Sequence, residues 1–285
     1  MVSQKVWLIT GTSSGFGKCL VNSVLARGDR VIATARNLSK IEHLHKSNNI
    51  RCLELDITSG EGAIKPVIAK ALEFWGRIDV LVNNAAYGAK GILEECGSAE
   101  LRRQYETNVF GTLDVTTAVL PSMRAQRSGT IVMIGSRTSW RPENPSTGLY
   151  GSSKAALQCI SETMAVEIAP FSIRMLILEP AAFRTNGLTG TPYYTGNKLS
   201  DYDEARTKSI AWYDTIGHLF KGDPAKAMEV LTDVVRGEGK AAGRPFPLFL
   251  VLGDAGVQGI TEKCETVLKN IEEWKDVSTG LNSDE

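Results

Sequence analysis

A doubly wound α/β fold, about seven parallel strands with helices on both faces, is the architecture that this 285-residue sequence predicts. Two observations carry it. β-branched, apolar runs alternate with amphipathic stretches along most of the chain, and that order implies right-handed crossovers between parallel strands covered on both sides. The first apolar run passes straight into a glycine-rich turn and then a helical pattern, the opening unit of such a fold.

The hydrophobic periods predict strands near residues 5–10, 30–35, 50–54, 79–83, 130–135, 173–178 and 247–251, and helices near 15–27, 60–76, 99–125, 151–168 and 224–236. In the first unit, Lys5 to Thr10 leads into Thr10-Gly11-Thr12-Ser13-Ser14-Gly15-Phe16-Gly17 and then into the pattern Lys18 to Arg27. Glycines at 11, 15 and 17 allow a tight turn, close approach of ligand phosphates and close helix packing. The free amides of the helix start attract a pyrophosphate. In the second strand, Ala35 occupies the place about 20 residues beyond the turn where an acidic side chain would bind a ribose 2′-hydroxyl. Arg36 follows, and a guanidinium can bind a 2′-phosphate with two parallel hydrogen bonds, so the expected cofactor is NADP(H).

Further along, Tyr150-Gly151-Ser152-Ser153-Lys154 puts a phenol and an ammonium on one face of a helix. A cation roughly 4 Å from a phenolate contributes on the order of 4 kcal/mol near a protein surface, which would bring a tyrosine down by about three units toward neutral pH. The pair can therefore move protons. Between Asn186 and Gly222 lies a polar and aromatic insertion holding Tyr193, Tyr194, Trp212 and Tyr213, placed where open α/β sheets gather ligands. Gly222-Asp223-Pro224 starts the next helix with an N-cap aspartate and a first-turn proline. In the tail, Thr261 to Trp274 reads as helical and suited to covering the substrate mouth or a neighbouring subunit.

With the glycine turn and the Tyr150/Lys154 pair both present and in order, the chain resembles the short-chain dehydrogenase/reductase family. Other matches carry the resemblance across roughly two thirds of the sequence. They are Asp56 in LDIT, Asn83-Asn84-Ala85-Ala86, Asn108 in TNVFG, Ser136 after TIVMIG, and Pro180 with Thr185 in EPAAFRT. The resemblance implies a Rossmann-like fold and a catalytic set of Asn108, Ser136, Tyr150 and Lys154. Ser136 would bind the substrate oxygen and Tyr150 would exchange the proton. Lys154 would tune Tyr150 and hold the nicotinamide ribose, and Asn108 would support a proton-relaying water. For the cofactor it implies Gly11, Ser13, Ser14, Gly15, Phe16 and Gly17 at the phosphates, and Asp56 with Ile57 at the adenine. Asn83, Ala85 and Asn108 would lie beneath it, with Pro180, Phe183 and Thr185 at the nicotinamide. Three departures stand out: Ala86 and Ala181 where the family has glycines, and one extra residue between Ser136 and Tyr150, which requires a bulge in that loop and leaves Ser139 as a substitute for Ser136.

Net charge is zero and the pI about 6.8, which gives no electrostatic case for nucleic acid or an anionic membrane. No apolar run reaches the roughly 18 residues that a membrane span needs. The N-terminus enters the first strand at once, so a cytoplasmic protein is expected. Five scattered cysteines read as reduced thiols. His43, His45 and His218 are not spaced as ligands, so no metal site is expected. The expected organisation is one catalytic domain over 1–252, with a substrate lid near 186–222 that orders on binding, and a helical tail over 253–285; assembly as a homodimer or homotetramer is expected. The function so read is an NADP(H)-dependent oxidoreductase acting on a small hydrophobic carbonyl compound or alcohol. Two alternatives stay open: a non-catalytic NADPH sensor or structural subunit, and an epimerase or dehydratase on the same fold.

Overall fold

The computed structural model describes residues 4–45, 47–142, 145–185 and 190–283. Among them, strands β1 (Val6–Ile9), β2 (Arg30–Ala35), β3 (Ile50–Glu54), β4 (Val80–Asn83), β5 (Gly129–Ile134), β6 (Ile173–Pro180) and β7 (Phe249–Leu252) form one sheet in the order β3-β2-β1-β4-β5-β6-β7. Every pairing is parallel, with Leu8 against Ile32 and Leu81, and Leu178 against Ile134 and Leu250. The strand order reverses between β1 and β4. At such a switch point the loops diverge and leave a crevice beyond the carboxyl ends of the strands.

Alternation along the strands sorts the core into two layers. Leu8, Ile32, Leu81, Ile131 and Ile177 face helices α2 (Glu61–Trp75), α4 (Thr112–Gln126) and α5 (Gly148–Ile168). Trp7, Ile9, Val31, Val132 and Leu176 face α1 (Gly15–Ala26) and a helix over Pro224–Arg236. Each fully buried aliphatic side chain stabilises the fold by about 1.5–3 kcal/mol before entropy is subtracted. The second layer also contains one buried polar knot: the Trp7 indole and Arg236 both donate to Asp29 Oδ2, at 2.9 and 2.7 Å.

Local chemistry sets helix boundaries at Gly76 and Asp223. Gly76, with φ 72°, closes α2 in the left-handed region and its N–H returns to Leu72 O. The Asp223 carboxylate accepts the Ala225 N–H at 2.8 Å, with Pro224 at the first helical position.

Three regions differ from the sequence expectation. The helix expected over 99–125 begins earlier, as α3 (Leu93–Tyr105), and is interrupted by a π-helical turn over Glu106–Gly111 before α4. The insertion of 186–222 is largely helical, holding α6 (Asp203–Leu219) ahead of α7 (Pro224–Arg236); residues 186–189 lie outside the described residues. The tail is helical from Asp254 to Ser278, as α8, longer than the stretch 261–274. His43 sits in a single 3-10 turn, Glu42–Leu44, and His45 Nε2 accepts the Cys52 N–H at 3.3 Å.

Candidate active site

The switch-point crevice is built from the glycine turn upward. Gly11 and Gly15 have φ of 71° and 54°, a region that L side chains disfavour, so only glycine turns the chain sharply enough out of β1. Gly17 has no space for a side chain: a Cβ there would lie 2.6 Å from the Asn84 amide nitrogen. The turn is tied to both neighbouring strands. Thr12 donates its N–H and hydroxyl to Thr34 O (2.9 and 3.1 Å). Asn84 Nδ2 donates to the carbonyls of Thr10 and Gly11 (2.8 and 3.0 Å), and the amides of Asn84 and Ala85 donate to the Thr10 hydroxyl (3.0 and 2.9 Å).

Ser13 and Ser14 are exposed on this turn, and Ser14, at the N-cap of α1, makes no side-chain capping bond. The first-turn amides of α1 therefore remain available to an anion. Together with the positive-φ glycines and the closely packed Gly17, this is the cradle a dinucleotide pyrophosphate fits. Above it, Phe16 and Phe183 meet edge to face at 5.4 Å between centroids, and a Cβ on Gly15 would touch Thr185 at 3.5 Å. The residues after β6 thus close over the turn, held by Arg184 N–H to Gly222 O at 3.0 Å. At the far side, Arg36 is exposed at the end of β2 and makes no ion pair among the described residues. Asp56 Oδ1 accepts the N–H and hydroxyl of Thr58 (2.9 and 2.8 Å), fixing the loop after β3, and the Ile57 backbone lies against Gly111 of the π-helical turn.

Ser136, Tyr150 and Lys154 come together at the carboxyl end of β5. Ser136 is extended, its hydroxyl donating to Thr138 Oγ1 and accepting the Thr138 N–H, both at 3.1 Å. Its hydroxyl lies near enough to the Tyr150 phenol to favour the ionised form of that group. Lys154, only 3 % exposed, donates from Nζ to Ile134 O at 2.6 Å, and its ammonium lies 5.9 Å from the centre of the Tyr150 ring. Burial pushes Lys154 down to about 8, partly opposed by the charge of Glu179.

Tyr150 departs from the sequence expectation. Burial pushes the phenol above its ordinary value, the Ser136 hydroxyl opposes this, and Glu179 adds to it. The depression expected from Lys154 is not found here, because the lysine points its ammonium at the β5 carbonyl and is itself disfavoured as a cation.

Asn108 is wholly buried in the π-helical turn. Its amide donates to Tyr87 O (3.0 Å) and Ser153 Oγ (3.1 Å), and its Oδ1 accepts the Tyr87 N–H (3.2 Å). It therefore clamps the loop after β4 onto α5. Asn83 also turns inward, donating to Thr116 Oγ1 at 2.8 Å, so its side chain serves the core. Ala85 is the neighbour that Gly11 nearly touches, and Pro180 ends β6, paired with Leu252 of β7.

The unusual alanines are accommodated. Ala86 is exposed, and the Ala181 methyl faces Gly256, where a Cβ would lie 3.2 Å away. Asn84, named in the sequence only as part of its motif, owes its role to bonds that appear once β4 is laid beside the turn, and Glu179, whose carboxyl accepts the Ser136 N–H at 2.8 Å, escaped the sequence reading.

The aromatic side chains of the insertion mostly pack on the body. Tyr193 hydrogen-bonds Ser146 (2.6 Å), Tyr194 packs with Ala89, Cys96 and Leu149, and Tyr213 is buried beneath Lys90. Trp140 stacks edge-on with Phe249 of β7. Trp212 remains 38 % exposed, 4.8 Å from Tyr213. Among the described residues no group of side chains could hold a metal ion, and no helix is long and apolar enough to cross a membrane.

Comparison with known proteins agrees with this fold. Residues 5–191 match the short chain dehydrogenase family. Oxidoreductase BOA17 of Botryotinia fuckeliana is 31 % identical over 287 residues, covering 96 % of this chain and 98 % of its own. A short-chain dehydrogenase from Streptomyces avermitilis superposes with a TM-score of 0.85 at 36 % identity, covering 99 % of this chain and 100 % of its own. ElxO with NADP bound superposes with a TM-score of 0.71 at 25 % identity, covering 90 % and 100 %. Similar solved structures hold NAD or NADP. The chain belongs to the short-chain dehydrogenase/reductase family of oxidoreductases.

Proposed function

We propose that the protein is an NADP(H)-dependent oxidoreductase that interconverts a hydrophobic ketone or aldehyde and its alcohol. The observation that carries this reading is the convergence of Ser136, Tyr150 and Lys154 at the end of β5, beside a glycine turn whose helix-start amides are uncapped. Gly11 to Gly17 would cradle the pyrophosphate, Asp56 and Ile57 would flank the adenine, and Phe183 and Thr185 would close over the nicotinamide end. Arg36, exposed and without an acidic neighbour in the strand, would pair with the 2′-phosphate. When bound, the nicotinamide supplies hydride in reduction and takes it up in oxidation.

The chain's own residues handle the oxygen and the proton. Ser136 donates a hydrogen bond to the carbonyl oxygen and Tyr150 gives it a proton as negative charge develops there. Lys154 holds the ribose and stabilises the tyrosinate left behind, while Asn108 keeps α5 and the loop after β4 in register. In oxidation the tyrosinate takes the alcohol proton.

The insertion over 186–222 is read as the substrate lid, with Trp212 its exposed aromatic face. A homo-oligomer is proposed in line with the family, and a cytoplasmic location fits five cysteines that are all free. Assays of NADPH oxidation against a panel of ketones, aldehydes and enones test the reading. Turnover with a hydrophobic carbonyl compound is the expected result, and binding of NADPH without turnover of any class would favour a sensor.

A further inference from the structure

Glu179 is a charged residue in a place where packing alone would select an apolar one. It is 0 % exposed, next to last in β6, after Met175, Leu176, Ile177 and Leu178. Alternation turns it to the face shared by Met175 and Ile177, the face α5 covers. One carboxyl oxygen accepts the Ser136 N–H at 2.8 Å; the other, Oε1, is buried without a hydrogen-bond partner. The chain makes room for it: Gly135 lies so close that a Cβ there would come within 2.5 Å of Oε1. Burying such a group costs several kcal/mol unless something nearby uses it.

The groups around it show what does. From β5 comes the Ser136 amide. From α5 come Lys154, Tyr150 and, more remotely, the exposed Glu162, while β7 places only the uncharged Val251 beside it. Lys154 makes no direct ion pair among the described residues, and Glu179 is the carboxylate that acts on it.

Resting on the catalytic reading above, we propose that Glu179 is a positioning residue with two effects: its carboxylate fixes the backbone of Ser136 and supplies the counter-charge that keeps Lys154 protonated beneath Tyr150. Burial disfavours both charges, pushing Glu179 up to about 8 and Lys154 down to about 8, and each opposes the other's displacement. They therefore titrate as a pair. Where Glu179 is ionised its charge favours the protonated Lys154, so removing the carboxylate removes that attraction and Lys154 should lose its proton at lower pH.

Glu179→Gln is the test, because its amide oxygen still accepts the Ser136 N–H while the charge is gone. The first readout does not depend on turnover: a carbon-13 titration of the lysine side chains, with Lys154 assigned by its absence in Lys154→Met. The Lys154 midpoint is expected to fall by about one to two pH units in Glu179→Gln, the range for a charge several ångströms away at an intermediate dielectric. An unchanged midpoint would overturn the proposal.

The second readout is the alkaline limb of kcat/KM, which should move down by the same amount, a loss of roughly ten- to a hundredfold above it. A shifted lysine titration in a protein with no turnover would uphold the pairing and count against the oxidoreductase reading alone. Glu179→Asp keeps the charge and should return the Lys154 midpoint close to that of the unmodified protein. A midpoint lowered in Glu179→Asp by more than about one unit would also contradict the proposal, and this holds if the glutamine variant does not fold.

Discussion

Arg206 on α6 reaches Glu95 on α3 as a buried ion pair, and the same carboxylate oxygen accepts the Leu199 N–H at 2.9 Å. This contact joins the insertion to the body of the protein, assisted by the Lys90–Tyr193 bridge and by Tyr202 Oη donating to Glu94 at 2.7 Å. The segment proposed as a lid is thus a helical arm tied to the body at several points, with the Arg206–Glu95 pair the buried one.

Arg206→Met would leave Glu95 buried with its second oxygen already lacking a partner, and breaking a buried pair from one side costs about 3–5 kcal/mol. Amide exchange should speed up across 199–219 while the β-sheet amides keep their protection. Unchanged exchange over that helix would show that the ion pair does not hold it.

Arg36 gives a prediction that needs no substrate. NADPH should bind more tightly than NADH, and Arg36→Ala should weaken NADPH alone, by about ten- to a hundredfold for a charge-assisted bond of roughly 1.5–3 kcal/mol. Calorimetric titration of both cofactors decides it; a variant that loses both equally would show that the guanidinium does not read the 2′-phosphate.

Asn84→Ala should loosen the glycine turn, since it leaves the carbonyls of Thr10 and Gly11 without their donor. A loss of about 1–3 kcal/mol in stability, together with weaker cofactor binding, is expected. Cofactor affinity equal to that of the unmodified protein would show that the turn holds its shape without this tie.

From Cys264 to Ser283 every residue of the tail is exposed, including Leu268, Ile271 and Trp274. Ending the chain after Lys263 should therefore leave the Tm within the scatter of repeated melts. A clear drop would show that the tail is packed, against the body or against another copy of the chain.

Much of this was legible in the sequence, because the sheet is built from short, strongly patterned runs. β2, β3 and α7 fall on the expected residues, the glycine turn joins β1 to α1, and Ser136, Tyr150 and Lys154 lie at the carboxyl end of β5 and on the helix beside it. What escaped depends on contacts distant in sequence. Glu95 and Arg206 are 111 residues apart, so neither marks an anchored helix by itself. Glu179 precedes a proline at a strand end and reads as an ordinary polar terminus until β5 is laid beside it. The break at Glu106–Gly111 is invisible to helical periodicity, because a π-turn adds a residue without changing the residue types. The Tyr150 shift runs opposite to the sequence expectation for a similar reason: four-residue spacing brings Lys154 near the ring, but the Ile134 carbonyl decides where the ammonium points.

The central claim is that Tyr150 is the proton donor of a working oxidoreductase. Steady-state NADPH oxidation with an accepted carbonyl substrate, measured for the unmodified protein and for Tyr150→Phe, tests it most directly, since the substitution removes the hydroxyl and keeps the ring. The account predicts a fall in kcat on the order of a hundred- to ten-thousandfold with NADPH affinity nearly unchanged. A Tyr150→Phe protein that keeps a near-normal kcat would contradict it.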